Sequence, residues 1–402
     1  MKILIVSDSY PAFDRSSYEL RFSRLIQILT ESHQVSLCPL DVPYMVNELG
    51  ESAVSLYRQT LVSQGVGICD NGLVPALQAE NYDSVVFVLY VLATPKNIQA
   101  VRDWAPTAKL IIDSVDVQFG RYMSRARLTK QQSDIDFANK VKREEIATYR
   151  KADFIIVVSE QERQLLAPEL PANKLAIIPN IHPMGEYIPT AARDKNVLMF
   201  VGWGQYEPNS DAVLYFANEV LPLILEQAPQ VRFKVIGEGY PETVKNLHGG
   251  PIEILGHVPS MHPYLTESYI SVAPLRYGSG VKGKIGEALS FGLPVVTTSI
   301  GLEGFGLTPG KEILIGDTPR EFADHVLSLL NDPGRHSEIG LSGRNFLENN
   351  FSEAVVKVKI NQVFSQIDQT QVPWLKLKSR ILRSWFYHTL NRYVLWRFNK
   401  TN

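Results

Sequence analysis

A glycine-rich segment that carries three cations and one carboxylate is the part of the sequence best suited to chemistry. It runs from Pro274 to Glu287, and the residues of interest are Gly278, Gly280, Gly283, Arg276, Lys282, Lys284 and Glu287. An apolar stretch precedes it and helical apolar spacing follows it, which predicts a strand, a turn and a helix that begins near Lys282. Glycines let a ligand approach the backbone closely, and a helix N-terminus favours an anion. The segment therefore predicts a site for a phosphorylated ligand.

The same turn matches a P-loop in part, because Gly278 is followed after four residues by Gly283 and Lys284. A P-loop continues with Ser or Thr, whose hydroxyl binds magnesium, whereas Ile285 stands here. The nearby apolar stretch 293–298 supplies no acidic partner for a metal. These departures argue against a nucleotide hydrolase. A glycine-rich loop with solvated lysines is the remaining alternative to a phosphate site.

Apolar runs alternate with helical patterns along the chain, which is typical of parallel sheets with crossover helices. The predicted strands are 2–7, 34–38, 84–90, 109–113, 154–159 and 175–179, then 197–202, 232–237, 252–256, 269–274, 294–299 and 312–315. The predicted fold class is α/β, with two doubly wound, Rossmann-like domains that face each other across a cleft and a C-terminal helical tail. We assign residues 1–180 to the first domain, 181–196 to a linker, 197–350 to the second domain and 351–402 to the tail.

The composition is that of an ordinary globular protein, with 45% hydrophobic and 20% charged residues over 402 positions. The first apolar run is interrupted at Asp8, and no run has the length of a signal-peptide core or a membrane span. Cys38 and Cys69 have no metal-ligand spacing, and the eight histidines are scattered. These features predict a cytoplasmic protein that uses no bound metal and no other cofactor.

Several segments of the second half occur in an order that resembles a known family. They are 200–202, 235–239, 255–258, 273–276, 280–288, 292–298 and 301–304. Together they resemble the donor domain of glycosyltransferases of the GT-B fold, and the nearest group is glycosyltransferase family four, also called glycosyl transferases group one. The resemblance covers residues 195–350 strongly. The first half is similar more weakly, at 113–116, 157–160 and 178–180.

This resemblance implies a retaining glycosyltransferase that takes a sugar from a nucleoside-diphosphate donor without a bound metal. Glu287 matches a family glutamate that contacts the ribose hydroxyls, and Val258 matches a position beside the base. Lys282, with the backbone of Gly280 and Val281, falls where the diphosphate lies. The resemblance therefore places the nucleotide on the turn that the residue pattern already marks as a phosphate site.

Catalysis in such a site is electrostatic, because fixed cations stabilise the negative charge that develops on the departing diphosphate. Without a metal, this task falls to Lys282, Arg276 and Lys284. The sequence departs from the family at two points of this machinery. Ser279 stands where the family has its first glutamate, and the usual Arg and Lys pair is absent after Gly202. Because this pair is absent, Lys282 is expected to provide more of the stabilisation of the diphosphate charge.

The remaining candidates follow other predicted strands. Gly202, Trp203 and Gly204 are predicted to bind substrate, with an interdomain packing role as the alternative for Trp203. Glu303 is predicted near the donor turn, with an ordinary turn residue as its alternative. Asp116 is predicted to orient the acceptor hydroxyl. Capping of a helix is the competing role for Asp116.

The resemblance also implies an acceptor, which is a glycan or a lipid-linked glycan in cell-envelope or exported polysaccharide biosynthesis. One alternative is a glycan-binding or scaffold protein of the GT-B fold with impaired catalysis, because Ser279 and the missing Arg and Lys pair are losses. A sugar-nucleotide epimerase or a phosphorylase of the same fold is another, although no signature marks the pyridoxal lysine of a phosphorylase. A dehydrogenase is disfavoured, since no Gly-x-Gly-x-x-Gly follows the first strand.

Residues 371–402 form a basic segment rich in aromatic residues, with seven Lys/Arg and no Asp/Glu, whereas the rest of the chain holds 33 Lys/Arg against 42 Asp/Glu. Its tryptophans and cations are Trp374, Trp385, Trp396, Lys376, Lys378, Arg380, Arg383, Arg392, Arg397 and Lys400. A terminal helix packed on the body is one interpretation. The composition is also that of an interfacial helix, which predicts peripheral attachment to an anionic inner membrane surface. The acidic remainder argues against nucleic acid as a partner.

Overall fold

The computed structural model describes residues 1–399, with side-chain surroundings through Leu390. The strands in this range lie within a few residues of the predicted ones, apart from one two-residue strand that was not predicted because it has no apolar run. They are Lys2–Ser7 (β1), Gln34–Pro39 (β2), Gly67–Ile68 (β3), Ser84–Val88 (β4), Lys109–Asp113 (β5), Phe154–Val157 (β6), Leu175–Ile177 (β7), Asp194–Val201 (β8), Arg232–Ile236 (β9), Ile252–Gly256 (β10), Ser268–Ala273 (β11), Val295–Thr297 (β12) and Leu314–Ile315 (β13).

Helices connect almost all of these strands. They are Ser17–Thr30 (α1), Val42–Leu49 (α2), Glu51–Ser63 (α3), Leu73–Ala79 (α4), Pro95–Trp104 (α5), Gln118–Thr129 (α6), Gln132–Tyr149 (α7), Glu160–Leu166 (α8), Glu207–Tyr215 (α9), Leu221–Leu225 (α10), Glu242–Lys245 (α11), His262–Glu267 (α12), Gly283–Ser290 (α13), Ser299–Leu302 (α14), Pro319–Asn331 (α15), Pro333–Phe351 (α16), Glu353–Gln369 (α17) and Trp374–Asn399 (α18). Side-chain caps fix several starts, for example at α15, where Thr318 and Glu321 form a reciprocal capping box. Among the described helices, none is both long enough and apolar enough to cross a bilayer.

The first sheet has seven parallel strands in the order β3-β2-β1-β4-β5-β6-β7. Its interior strand β1 is apolar over Ile3–Val6, and these four residues are fully buried. Continuous burial of this kind is expected where helices cover both faces of a parallel sheet. The order reverses between β1 and β4, which makes this a doubly wound sheet.

The second sheet has six parallel strands in the order β10-β9-β8-β11-β12-β13. Side chains alternate across it, so that Leu198 and Phe200 of β8 enter one apolar cluster and Met199 enters another. The neighbouring strands and the helices on each side supply most of the rest of both clusters. The sheet is therefore covered on both faces, as the sequence pattern predicted.

The chain divides into two compact units. One contains Met1–Val117, Lys140–Ile178 and the chain from Lys357 onward, and the other contains Gln118–Asn139 and Pro179–Val356. The predicted linker 181–196 falls inside the second unit, and two further segments differ from the predicted domains. Residues 118–139, predicted in the first domain, belong to the compact unit of the second sheet, and the C-terminal helices from Lys357 belong to the unit of the first sheet.

Candidate functional site

Two turns of the second unit lie where the strand order of its sheet reverses. From β8 the chain adds β9 and β10 on one side, and from β11 it adds β12 and β13 on the other. The turn after β8 holds Gly202–Gly204, and the turn after β11 holds Pro274–Lys282. Ligands of open α/β sheets bind beyond the carboxyl ends of the strands at such a reversal. The predicted phosphate-binding turn therefore lies where this sheet is expected to bind a ligand.

Backbone hydrogen bonds hold the neighbouring turns side by side. The N–H of Gly202 donates to the carbonyl of Ile236 at 2.9 Å, and that of Gly237 donates to the carbonyl of Gly256 at 2.8 Å. A Cβ atom at Gly237, where φ is +128°, would lie 1.9 Å from the carbonyl oxygen of Gly202. Only glycine fits there, so the turns after β8, β9 and β10 form one closely packed rim.

Lys282 is held at the start of the helix that follows the candidate turn. It is the N-cap residue of α13, as the sequence predicted, and it is buried, with 8% of its surface exposed. Its Nζ donates to the carbonyl of Gly280 at 2.7 Å and lies 3.6 Å from Oε2 of Glu303. The structure thus brings together three predicted site residues. Glu303 balances the charge of Lys282, and an anion entering this turn would compete with Glu303 for the ammonium.

Lys284 and Asn209 link the two turns of the site. Asn209, buried in the first turn of α9, accepts from Lys284 Nζ at 2.5 Å and donates through Nδ2 to the carbonyl of Trp203 at 2.9 Å. The Lys284 ammonium also lies 4.1 Å from the ring centroid of Phe200. Burial, together with the nearby charge of Lys282, lowers the pKa of Lys284 to about 7. A bound anion would favour the charged form of this side chain.

Arg276 lies within the turn after β11, and its guanidinium is paired with an acidic residue. Its guanidinium forms a two-point ion pair with Asp211 of α9, with an Nε to Oδ2 distance of 2.9 Å, and lies 5.0 Å from the ring centroid of Tyr215. The hydrogen bonds that Arg276 donates to Asp211 raise the pKa of Arg276. This pair anchors the loop after β11 to α9. The contact of Arg276 with the departing diphosphate stays a prediction. It would have to form while Arg276 remains paired with Asp211.

The residues predicted to contact the ribose and the base are half-buried, and one further predicted substrate residue is exposed. Glu287 is half-buried in the second turn of α13, and burial raises its pKa to about 7. Val281 and Val258 are half-buried and pack against the second apolar cluster, whereas Trp203 is 55% exposed. The exposure of Trp203 suits a ligand contact, which stays a prediction together with the roles of Glu287 and Val258.

The acceptor-side candidate Asp116 belongs to the first unit. Burial, reinforced by the charge of Asp116, raises the pKa of the neighbouring Glu162 to about 8, while Glu162 accepts from the backbone N–H groups of Val117 and Val158. Nearby Asp113 is buried in an ion pair with Arg21 at 2.7 Å. Asp113 is thus a structural residue, and the role of Asp116 in turnover stays a prediction.

Sequence analysis missed several residues that shape the site. Asn209 and Asp211 follow a glycine turn and a helix-starting proline, a signal that marks a helix N-terminus but not its contacts. Ser124 of α6 accepts from the N–H of Gly278 through Oγ at 3.4 Å. His182 packs so closely on α13 that a Cβ at Gly286 would lie 2.4 Å from its ring. Burial lowers the pKa of His182 to about 4, so the ring is neutral.

Comparison with known proteins agrees with this geometry. Residues 195–332 match the family described as glycosyl transferases group 1. A 44.6 kDa protein in the cps region of Klebsiella pneumoniae is 28% identical over 189 residues, which cover 44% of this chain and 48% of that protein. The chain thus spans about half the length of this curated relative.

Solved structures share the fold at low sequence identity. Sucrose-phosphate synthase from Thermosynechococcus elongatus superimposes with a TM-score of 0.66 at 15% identity, covering 91% of this chain and 99% of that one. HepE from Anabaena in complex with UDP superimposes with a TM-score of 0.64 at 14% identity, covering 91% of this chain and 100% of that one. TarM from S. aureus, bound to fondaparinux, alpha-GlcNAc-glycerol and UDP, superimposes with a TM-score of 0.57 at 17% identity. The match covers 73% of this chain and 58% of that one.

These findings establish the fold of the chain and the family that residues 195–332 match. Residues 195–332 carry a glycosyl transferases group 1 domain. The two parallel sheets have the fold of GT-B glycosyltransferases, and C-terminal helices follow them. The predicted resemblance of residues 195–350 to this family is therefore confirmed over 195–332, and the predicted α/β fold class with two doubly wound sheets is confirmed for the chain.

Proposed function

We propose that this protein is a retaining glycosyltransferase that moves a sugar from a nucleoside-diphosphate donor to a glycan or lipid-linked acceptor. The observation that carries the proposal is the set of residues at the switch point of the second sheet, where Lys282, the turn at Gly280 and the carboxylate of Glu287 lie along the start of α13. A helix N-terminus with two lysines suits a diphosphate, and a carboxylate one turn further suits ribose hydroxyls.

The reaction follows from these contacts. The bond between the anomeric carbon and the diphosphate oxygen breaks, and its electron pair stays on the diphosphate. The acceptor hydroxyl oxygen forms the new bond to the anomeric carbon from the face that the diphosphate leaves, and its proton passes to a departing phosphate oxygen. Lys282 and Lys284 stabilise the negative charge as it grows, so we propose that no metal is needed.

Donor, acceptor and location are proposals that rest on relatives as well as on residues. UDP is bound in the HepE and TarM structures, so a uridine diphosphate sugar is the first donor to test. The relative in a cps region supports an acceptor in exported polysaccharide biosynthesis. Free Cys38 and Cys69 suit a reducing cytoplasm, where we place the protein at the inner face of the membrane.

A panel of nucleotide sugars tests the function. Each candidate is added to the full chain in excess chelator, and binding is read from thermal unfolding, because a ligand at about 100 times its Kd adds roughly 2.7 kcal/mol of stability. The expected result is stabilisation by one nucleotide sugar beyond its bare nucleotide, and turnover of that donor with chelator present. A panel without a stabilising donor would contradict the function, and inhibition by chelator that magnesium reverses would contradict metal independence.

Replacing Glu287 by alanine is expected to weaken the donor affinity about ten- to hundredfold, because a charge-assisted hydrogen bond contributes roughly 1.5–3 kcal/mol. Calorimetric titration with UDP measures this. Glu338→Ala, which removes an exposed carboxylate from α16 in the same unit, is the matched control and should leave the Kd unchanged. An unchanged Kd in Glu287→Ala would remove Glu287 from the ribose contact.

Binding of UDP at pH 8 is expected to take up a proton from solution. The free protein holds Lys284 largely neutral at that pH, because its pKa is about 7, and the diphosphate favours its ammonium form. Titrations in buffers of different ionisation enthalpy count the protons. The uptake should approach one proton per UDP and vanish in Lys284→Met. A proton count of zero in the parent protein would show that the diphosphate does not reach Lys284.

A further inference from the structure

The last helix of the described chain is fixed to the first unit along one face. Buried Asp153 accepts from Lys376 Nζ at 2.7 Å, from Arg380 at 2.7 Å and from Arg102 of α5 at 3.1 Å. These contacts join α18 to α5 through a carboxylate that is buried beneath them. Two of the cations in the basic segment are therefore structural.

A second set of contacts fixes the same face further along the helix. Ser384 Oγ donates to the carbonyl of Asp103 at 2.5 Å, and His388 Nε2 lies 2.8 Å from the same oxygen. The ring of His388 also packs edge-on against Trp104, with 4.3 Å between centroids. Arg380, Ser384 and His388 recur at intervals of four, so they form one stripe down α18, which we call the docked stripe. The interpretation of this segment as a helix packed on the body is thus correct for this stripe.

The opposite side of α18 exposes large apolar side chains. We call this side the outward face, and its members are Trp374 (65% exposed), Leu375 (76%), Leu382 (55%), Trp385 (64%), Phe386 (63%) and Leu390 (52%). At about 100° per residue, Leu375, Leu382 and Phe386 point away from the docked stripe. Large apolar side chains that are exposed together on one side of a helix mark an interaction site. The side chains beyond Leu390, including Arg392, Trp396 and Arg397, and residue Lys400 lie outside the described surroundings.

The positive charge beside the outward face indicates which kind of partner binds it. The segment 371–402 contains no Asp or Glu, and Lys378 and Arg383 are exposed beside the outward face. The Lys378 ammonium lies 4.7 Å from the ring centroid of Trp374, as in the mixed aromatic and cationic surfaces that meet lipid headgroups. Tryptophan seats at the headgroup level, while nearby cations are attracted to anionic lipid.

We propose that the outward face of α18 binds an anionic lipid surface with the helix parallel to the membrane plane. The docked stripe holds the unit on the other side of the helix, so the protein binds in one orientation rather than by a free tail. Only the purpose of this attachment rests on the proposed function. That purpose is to bring the enzyme to a lipid-linked acceptor.

Vesicle flotation with the full chain tests the proposal. Vesicles of phosphatidylcholine with phosphatidylglycerol are expected to carry the protein, and pure phosphatidylcholine vesicles far less. Trp385→Ala combined with Phe386→Ala should weaken partitioning about tenfold or more, because two apolar contacts with lipid are lost. Lys378→Gln combined with Arg383→Gln should weaken it about tenfold, and raising the salt to about 1 M should do the same.

A matched control separates this face from general stickiness. Tyr44 (64% exposed) and Leu56 (55%) lie elsewhere on the same unit, so Tyr44→Ala combined with Leu56→Ala removes similar exposed area and should float like the parent. The proposal is overturned if the parent does not float, if the Trp385 and Phe386 variant floats as well as the parent, or if neutral vesicles bind equally. Dimerisation that depends on Trp385 and Phe386, measured by light scattering without vesicle binding, would assign the face to a second copy instead.

Titration with UDP keeps the two proposals apart. The Trp385 and Phe386 variant should bind UDP with the Kd of the parent, because α18 belongs to the other compact unit from the donor site. A chain that floats but binds no nucleotide would overturn the proposed function alone. A chain that binds UDP but does not float would overturn the lipid surface alone.

Discussion

Replacing Lys282 by alanine is expected to lower kcat about a hundred- to thousandfold with a much smaller change in KM. Loss of one preorganised group that stabilises developing charge has an effect of this size. The negative charge on the diphosphate grows as the sugar departs, so the buried Lys282 ammonium acts more strongly on the transition state than on the bound donor. Steady-state kinetics with the donor identified by the nucleotide panel measures the two constants.

Two variants make this result specific. Lys282→Arg keeps the charge and should recover part of the lost turnover. Lys311→Ala removes a lysine that is 69% exposed in the same unit and should leave both constants unchanged. Normal kcat with a raised KM in Lys282→Ala would show that this lysine holds the donor without taking part in the chemical step.

Replacing Arg21 by methionine is expected to lower the free energy of unfolding by about 3–5 kcal/mol, because it leaves a buried carboxylate without its charge partner. Arg21 and Asp113 are 1% and 0% exposed, and Arg21 also donates to the carbonyl of Ile178 at 3.1 Å. Urea denaturation measures the change in the transition of the first unit. The carboxylate of Asp113 would then retain the N–H of Val115 as a donor, at 3.2 Å.

The same unit offers a matched control for this prediction. Arg58 and Asp70 form an ion pair at 3.0 Å whose side chains are 45% and 42% exposed. Arg58→Met should therefore cost less than about 1 kcal/mol, as is usual for solvent-exposed pairs. The double variant Arg21→Met with Asp113→Leu should recover much of the lost stability, because both charges are then absent. A small effect in the single variant would mean that water reaches Asp113.

Local sequence was sufficient to find the candidate turn. The helix starts at Gly283 with Lys282 as its cap, as predicted, because glycine positions and apolar spacing are read from neighbouring residues alone. The same pattern placed Gly202–Gly204 at the end of a strand, and the structure puts this turn at the reversal of the sheet. Both results depend on signals that extend over about one strand and one helix.

Contacts between distant segments were beyond sequence analysis. Arg276 is predicted to stabilise the departing diphosphate, and the structure shows that it also pairs with Asp211, which lies 65 positions earlier in the chain. Asn209 joins Lys284 to the turn after β8, again across 75 positions. No spacing rule encodes such a pair, because folding of the whole sheet decides which loops become neighbours.

The basic segment shows the same division between sequence and structure. Composition determined that residues 371–402 are cationic and aromatic, and two interpretations, a packed helix and a membrane surface, followed from it. Only the tertiary structure decided which side chains pack on the first unit and which stay exposed, since Asp103 and Asp153 hold one stripe of α18 and leave the opposite side exposed.

For the protein as a whole, the sequence by itself determined the α/β class, the order of the strands along the chain and the position of the candidate phosphate-binding turn. These follow from hydrophobic periodicity and local backbone preferences, which neighbouring residues set. The tertiary structure decided the strand order within each sheet, the partners of the buried charges and the assignment of 118–139 to the second unit. These depend on burial of charge and apolar surface between segments far apart in the chain, which local periodicity does not encode.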